Sequence, residues 1–264
     1  AAIRSLGCTK PVGWNLNWPN MIRGHEDVFQ AVAESRMEMV AFCLYPGQHD
    51  VGQEYWRHPK NLSGNNYLPF VRDNYTQYTR LRWLLGHRFA GKAKIVYEFE
   101  TFFNDRTYLY PAMARAFRGL GAQMACMWTY ALAPSSEYLT GSHLLNLEAT
   151  PGKAVSFVVA ERLFRGTPRY ALHGATKDDD LVFGDCALSF ARDLSIFCAE
   201  DTYMQTRAHD WSPLPLPKSP RRIVGCGVSP FVHYSGTGAY FVDVAADAIT
   251  IEINVGCGVR IRRG

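Results

Sequence analysis

Two carboxylates follow directly on a short apolar run near the middle of the chain. The run at 94–97 ends in Glu98, Phe99 and Glu100, and its β-branched residues predict a buried strand. Retaining hydrolysis of a glycosidic bond needs one carboxylate that attacks the anomeric carbon and a carboxylic acid about 5 Å away. We predict Glu98 as the nucleophile. We expect Glu100 in the following loop, where it hydrogen-bonds a sugar hydroxyl or holds a neighbouring side chain.

The alternative for both carboxylates is an ordinary loop position, with basic partners such as Arg106. Two Glu residues directly after a Val-containing strand, and just ahead of two Phe residues at 102–103, are unusual for solvent-facing positions. We therefore favour a functional role for the pair.

Aromatic and polar residues end the neighbouring strand-like runs. Tyr45 ends one run, where a phenol can donate to the nucleophile and hold it ionised. Trp128 and Tyr130 end another, where rings can stack on the apolar face of a pyranose. The alternative for Trp128 is a core ring that caps the fold. Further sugar-binding side chains are predicted at Asn17, Trp18, Gln48 and His49, although loop packing would also explain them and a lone His is more often structural.

Strand and helix patterns alternate over the first 170 residues. Apolar runs occur at 12–18, 37–45, 94–99 and 123–130, and helical patterns at 27–36, 67–89, 109–120 and 154–164. Thr150 and Pro151 are predicted as N-cap and first residue of the last helix. The order βαβαβαβα predicts a parallel sheet covered by helices, with function at the carboxyl ends of the strands.

The last third of the chain has a different pattern. Short β-branched and aromatic runs occur at 181–183, 187–190, 194–197, 240–244 and 249–254, separated by Gly, Pro and Asp. In the final run, Ile249, Ile251 and Ile253 alternate with polar residues, which predicts a half-buried strand. We expect residues 171–264 to form an antiparallel β-sandwich domain. The proline-spaced stretch 211–220 is predicted as a loop, with a polyproline ligand as the less favoured alternative.

Composition excludes several classes of protein. The 264 residues are 47% apolar and carry a net charge of only +4, with Lys and Arg scattered rather than concentrated, so a nucleic-acid binder is not expected. No apolar run approaches the ~20 residues of a membrane span. The sequence contains neither a metal-binding His pair nor a nucleotide-binding glycine loop, and we predict no cofactor and no metal. The seven Cys form no C-x-x-C pair, so free thiols are expected; this leans toward the cytoplasm, with a secreted or periplasmic location still open.

A family resemblance rests on these same motifs. Glu98 followed by Phe99, and Trp128 one unit later, resemble the ends of strands seven and eight in the (β/α)8 glycoside hydrolases that include β-galactosidases, β-mannanases and cellulases. Tyr45 matches the strand-six Tyr that hydrogen-bonds the nucleophile in that family. The resemblance covers about 170 residues. It implies a retaining glycosidase, although Glu100 stands where many members have Gly.

The family's acid/base residue belongs to an Asn-Glu dipeptide after strand four, and this sequence contains no Asn-Glu. Four βα units also fall short of the eight that a barrel needs. We therefore expect residues 1–170 to form strands five to eight, the C-terminal half of a TIM barrel. An N-terminal half or partner polypeptide would supply the acid/base. A non-catalytic carbohydrate-binding or structural protein on a degenerate barrel is the main alternative. A subunit of a large assembly without sugar chemistry is the third.

Overall fold

A computed structural model of the chain describes residues 2–16, 26–46, 66–69, 71, 81–101, 104–132, 145–171 and 180–256. Within them, the protein is mixed α/β, with a four-stranded parallel sheet and a separate seven-stranded sheet. The predicted sugar-binding residues Asn17, Trp18, Gln48 and His49 lie outside the described residues. Cys257 lies outside them too, and the six described Cys are all free thiols.

The first sheet consists of strands β1 (Gly13–Asn15), β2 (Met39–Leu44), β3 (Ala93–Phe99) and β4 (Met124–Met127). They lie side by side in chain order, and each adjacent pair is parallel. The helices are α1 (Ala2–Ser5), α2 (Glu26–Glu34), α3 (Leu109–Gly119) and α4 (Pro151–Gly166). The four strands and three of the helices confirm the alternation predicted from sequence.

The long helix predicted over 67–89 is wrong where its second half is described. Two short 3-10 helices replace it, Leu81–Leu85 and His87–Phe89. Gly86 separates them with an extended backbone, at ψ 151°, which no continuous helix can contain. The apolar period of this stretch therefore reflects burial of Leu84 and Phe89 rather than helical continuity.

One face of the parallel sheet packs against α3 and α4. Alternate residues of β2, namely Val40, Phe42 and Leu44, are fully buried in the main core because side chains one residue apart point to opposite faces. The helices meet them with stripes at i, i+4 and i+8. These stripes are Leu109, Met113 and Phe117 on α3, and Val155, Val159 and Leu163 on α4.

Large apolar side chains are exposed on both outer strands of the parallel sheet. Trp14 on β1 is 50% exposed and Met124 on β4 is 51% exposed. Trp14 is aligned with Val40 on the helix-covered face, whereas Met124 is aligned with Ile95 on the opposite face. On β2, by contrast, both faces are buried.

The second sheet is a single layer of seven strands, where a two-sheet sandwich was expected. Its strands are β5 (Asp180–Phe183), β6 (Cys186–Ser189), β7 (Leu194–Cys198), β8 (Thr202–Gln205), β9 (Arg222–Cys226), β10 (Ala239–Val244) and β11 (Ile249–Asn254). They lie in chain order. One face contributes residues such as Met204 and Val224 to the main core. The other carries a smaller core covered by loop residues such as Trp211 and Phe231. Helix and loop layers thus replace the expected second sheet.

One strand pair also departs from the antiparallel expectation. β8 and β9 are parallel, whereas the other five neighbouring pairs are antiparallel. Parallel neighbours need a long crossover connection, and the proline-rich stretch at 206–221 provides it. Neither strand was predicted, because β8 is only four residues long and β9 begins with Arg222 and contains Gly225.

Strand β11 is confirmed, but its predicted burial is wrong. It forms the edge of the seven-stranded sheet and pairs with β10 alone among the described strands. Ile249, Ile251 and Ile253 share one face of this strand, and each is more than half exposed. The period of two therefore identified a strand without identifying a buried face.

Candidate active site

Tyr45 and Glu98 meet at the carboxyl ends of two adjacent parallel strands. The Tyr45 hydroxyl donates a hydrogen bond to Glu98 Oε2 at 2.6 Å. Tyr45 is buried, and Glu98 is half-buried. Burial, followed by the hydrogen bond to Glu98, raises the pKa of the Tyr45 phenol far above its ordinary value of 10.0. The phenol therefore stays protonated and acts as a donor toward the carboxylate.

A bulge in β3 points Glu98 away from the core. Phe42 pairs with Val96, but the next β2 residue, Cys43, pairs with Glu98, so Tyr97 is an extra residue. The ladder with β4 contains the same irregularity between Val96 and Phe99. Val96 and Phe99 consequently both enter the main core, although strict alternation would put them on opposite faces. Glu98 lies between them and faces the other side of the sheet.

Cys43 and Asn15 are part of the site although neither was predicted there. Cys43 interacts with the side chains of both Asn15 and Glu98. Burial, with the Glu98 charge as the second cause, raises the pKa of the Cys43 thiol to about 11. The sequence signal that would have identified Cys43 is the two-residue alternation of side chains along a strand. Counting back from Tyr45 places Cys43 on the same face of β2, and Asn15 ends the neighbouring strand.

Trp128 and Tyr130 lie just beyond β4, beside the end of β3. The Trp128 backbone N–H donates to the Phe99 carbonyl at 3.0 Å, which places the Trp directly next to the strand end that carries Glu98. Trp128 and Tyr130 are each 50% exposed. The Trp128–Thr129 peptide bond is cis. Rings half in solvent at a strand end can stack on a ligand, and the sugar-stacking role of both residues stays a prediction.

Glu100 lies on the core side of the sheet rather than in an exposed loop. It is 0% exposed. Its carboxylate pairs with the Lys153 ammonium and accepts hydrogen bonds from the Tyr110 hydroxyl at 2.7 Å and the Thr101 hydroxyl at 3.1 Å. Because neither carboxylate oxygen is exposed, Glu100 cannot make the predicted hydrogen bond to a sugar hydroxyl. The other expected role, that of holding neighbouring side chains, is the one compatible with these contacts.

Glu100, the carboxylate closest to Glu98 in sequence, is not placed to act as an acid/base, because it is fully buried and paired with Lys153. No group of three or more His, Cys, Asp or Glu side chains among the described residues could hold a metal ion. No described helix is long and apolar enough to cross a membrane.

Comparison with known proteins adds no relative: no family model matches the chain, and no curated protein or solved structure is significantly similar to it.

Proposed function

We propose that this chain carries the nucleophile side of a retaining glycoside hydrolase. The observation that carries the proposal is the Tyr45–Glu98 hydrogen bond of 2.6 Å at the carboxyl ends of β2 and β3. Glycosidase nucleophiles must be ionised and aligned, and a phenol that donates to a carboxylate oxygen favours both. Glu98 is half-buried, which lets a substrate reach it while part of its solvation is removed.

In this proposal the substrate is a poly- or oligosaccharide bound along the open edge of the parallel sheet. Trp128 and Tyr130 provide stacking faces beside Glu98, and the exposed fraction of each ring is large enough for such contact. Glu98 would attack the anomeric carbon, and Tyr45 would hold the attacking carboxylate in place. The acid/base that protonates the leaving oxygen would come from a different polypeptide segment.

The half-barrel architecture is part of the same proposal. What supports it is a parallel α/β arrangement of four adjacent strands with helices on one face; assigning them to strands five to eight of a (β/α)8 barrel is the proposal. In a closed barrel the inner face of every strand is covered. Here the half-exposed Met124 side chain, on the face opposite the helices, is part of the surface that an N-terminal barrel half or partner polypeptide would bury. An isolated chain that is monomeric and fully stable would count against a missing half.

Labelling with an activated fluoro-sugar tests the nucleophile directly. In the protein assembled with the polypeptide that completes the site, the reagent should add one glycosyl mass to Glu98, found by peptide mass spectrometry. Glu98→Gln should abolish both labelling and aryl-glycoside turnover. Glu161→Gln, which alters an exposed carboxylate on α4, is the matched control and should leave both unchanged. Full turnover by Glu98→Gln would refute the assignment.

A non-catalytic carbohydrate-binding protein is the second candidate. One observation favours it: the carboxylate nearest to Glu98 in sequence, Glu100, is fully buried and paired with Lys153, so it cannot serve as acid/base. A binder would retain glycan affinity but would take no label at Glu98. The same labelling experiment therefore separates the two functions.

A further inference from the structure

We infer that Glu100 is a positioning residue for Glu98: its buried contacts with α3 and α4 fix the strand end at which Glu98 meets Tyr45. The inference deepens the proposed function by naming what aligns the nucleophile. The inference depends on the proposed function only in taking Glu98 as the nucleophile.

Glu100 joins the end of β3 to both helices that cover the sheet. Lys153, in the first turn of α4, pairs with its carboxylate, and Tyr110, in the first turn of α3, donates to the same Oε1 atom. The Lys153 ammonium also lies 5.6 Å from the centre of the Tyr110 ring. Lys153 is 5% exposed. Three elements thus converge on one carboxylate that solvent does not reach.

The position of Lys153 is difficult to explain by stability alone. A cation in the first turn of a helix opposes the helix dipole, and Lys153 is the third residue of α4. Burial of both charges adds a desolvation cost, and neutral side chains of similar size are often equally stable at such sites. The best-supported use of a buried ion pair is to specify one arrangement of the elements it joins. Here that arrangement is the end of β3 relative to α3 and α4.

Glu98 needs such an anchor because its own strand is irregular on one side. The extra residue Tyr97 precedes Glu98, and a bulge locally disrupts the ladder. On the other side, Phe99 is the last residue of β3. Phe99 packs against Phe117 with ring centres 5.2 Å apart, and Glu100 then ties the chain to the helices. The direction of the Glu98 side chain is therefore determined by its two C-terminal neighbours.

The test replaces the ion pair by neutral groups of similar size, Glu100→Gln with Lys153→Met. This double variant leaves the net charge of the protein unchanged, so the result reports position rather than charge. The readout is the phenol carbon resonance of Tyr45 in the 264-residue chain carrying ¹³C-labelled tyrosine, assigned with Tyr45→Phe. Glu98→Ala gives the resonance expected when the Tyr45–Glu98 hydrogen bond is lost.

We expect the double variant to move the Tyr45 resonance at least halfway from the wild-type value toward the Glu98→Ala value. Arg165→Met removes an exposed ion pair with Glu161 on the same helix and should leave the resonance in place. If the double variant does not fold, Tyr110→Phe retains both charges and removes one hydrogen bond to Glu100. It should shift the resonance in the same direction. An unchanged Tyr45 resonance in a folded variant would overturn the inference.

Kinetics provide the second readout, in the protein assembled with its completing polypeptide. A displaced nucleophile should lower kcat of the double variant about tenfold while KM stays within about twofold, because misplacement by about 1 Å affects the transition state more than binding. Unchanged kcat would contradict positioning. If Glu98→Gln is itself fully active, the proposed function fails, but the Tyr45 resonance still tests whether Glu100 positions Glu98.

Discussion

At the scale of single residues, the Tyr45–Glu98 contact is what separates this site from an ordinary strand end. Tyr45 is buried and its hydroxyl points at a half-buried carboxylate. Cys43 lies on the same side and adds a protonated thiol beside the carboxylate. Both groups interact with the Glu98 carboxylate and can orient it toward an electrophilic carbon.

Removing the Tyr45 hydroxyl should weaken catalysis more than binding. In the completed enzyme, we expect Tyr45→Phe to lower kcat by about 10- to 100-fold, since a hydrogen bond to a charged group contributes about 1.5–3 kcal/mol. KM should stay within about twofold. Tyr97→Phe is the matched control, because Tyr97 is exposed on the bulge. Steady-state kinetics on an aryl glycoside measure both variants; equal kcat values for the two would contradict the role of Tyr45.

At the scale of secondary-structure elements, sequence patterns predicted where strands and helices lie better than which of their residues are buried. Apolar runs and helical periods located four parallel strands, together with α3 and α4, because burial of one face imposes a readable period. The Tyr45–Glu98 pairing also followed from placing both residues at strand ends. The burial of Glu100 did not follow, because alternation ends with Phe99, the last residue of β3, and the contacts that bury Glu100 come from Tyr110 on α3 and Lys153 on α4.

The second sheet illustrates a different limit on prediction. β8 and β9 were missed since their residues resemble loop sequence, and their parallel pairing depends on contacts far apart in the chain. The exposed face of β11 was missed because alternation is the same whether the apolar side faces a core or solvent. The parallel pairing of β8 with β9 and the exposure of β11 both depend on tertiary contacts, which local sequence patterns do not reveal.

The edge strand β11 predicts a specific solution behaviour. Its outer backbone edge, which pairs with no other described strand, and the exposed Ile249, Ile251 and Ile253 side chains are typical of strands that associate. We expect Ile251→Lys to reduce concentration-dependent light scattering, and to change the free energy of unfolding by no more than about 0.5 kcal/mol. Thr250→Lys, on the other face of the strand, is the control. Equal suppression by both variants would mean that charge, rather than the isoleucine face, governs association.

At the scale of the whole molecule, one buried hub connects the two sheets. The Thr107 backbone N–H donates to Asp193 Oδ1 at 2.6 Å, and its carbonyl accepts from the Ser195 hydroxyl at 2.6 Å. The Thr107 hydroxyl lies 2.8 Å from that of Thr206. Helix α4 adds a further hydrogen bond from Ser156 to the same carbonyl. Together with the shared core, these hydrogen bonds join the parallel sheet and its helices to the seven-stranded sheet.

Loss of the Thr107 hydroxyl should therefore destabilise both sheets together. We expect Thr107→Val, which is nearly isosteric, to lower the free energy of unfolding by about 1–3 kcal/mol because Thr206 and Asp193 lose a buried partner. Thr107→Ser retains the hydroxyl and should cost less. Guanidinium denaturation followed by tryptophan fluorescence and far-ultraviolet circular dichroism should give one coincident transition for each variant. Two separated transitions would show that the sheets unfold independently.

Stability should also fall in alkaline solution. Burial raises the pKa of Cys43 to about 11, and that of Cys198 and Cys226 to about 12, from a value of 9.0. Above about pH 9 the unfolded chain loses these protons while the folded chain keeps them, so folding becomes less favourable as pH rises. Denaturation midpoints should fall between about pH 8 and about pH 10.5. Cys198→Ala should show a smaller decrease, and a pH-independent midpoint would contradict the burial of these thiols.

The single extra residue at Tyr97 decides which side of the sheet carries the nucleophile. If all seven residues of β3 alternated strictly, Glu98 would share the face of Val96, toward the helices, and Phe99 would leave the core. Deleting Tyr97 would instead keep both side chains on their present faces, because Val96, Glu98 and Phe99 would then pair in succession with Phe42, Cys43 and Leu44. In evolution, the residue at position 97 should therefore be free to change in type or to be lost, whereas Glu98 and Phe99 should remain adjacent.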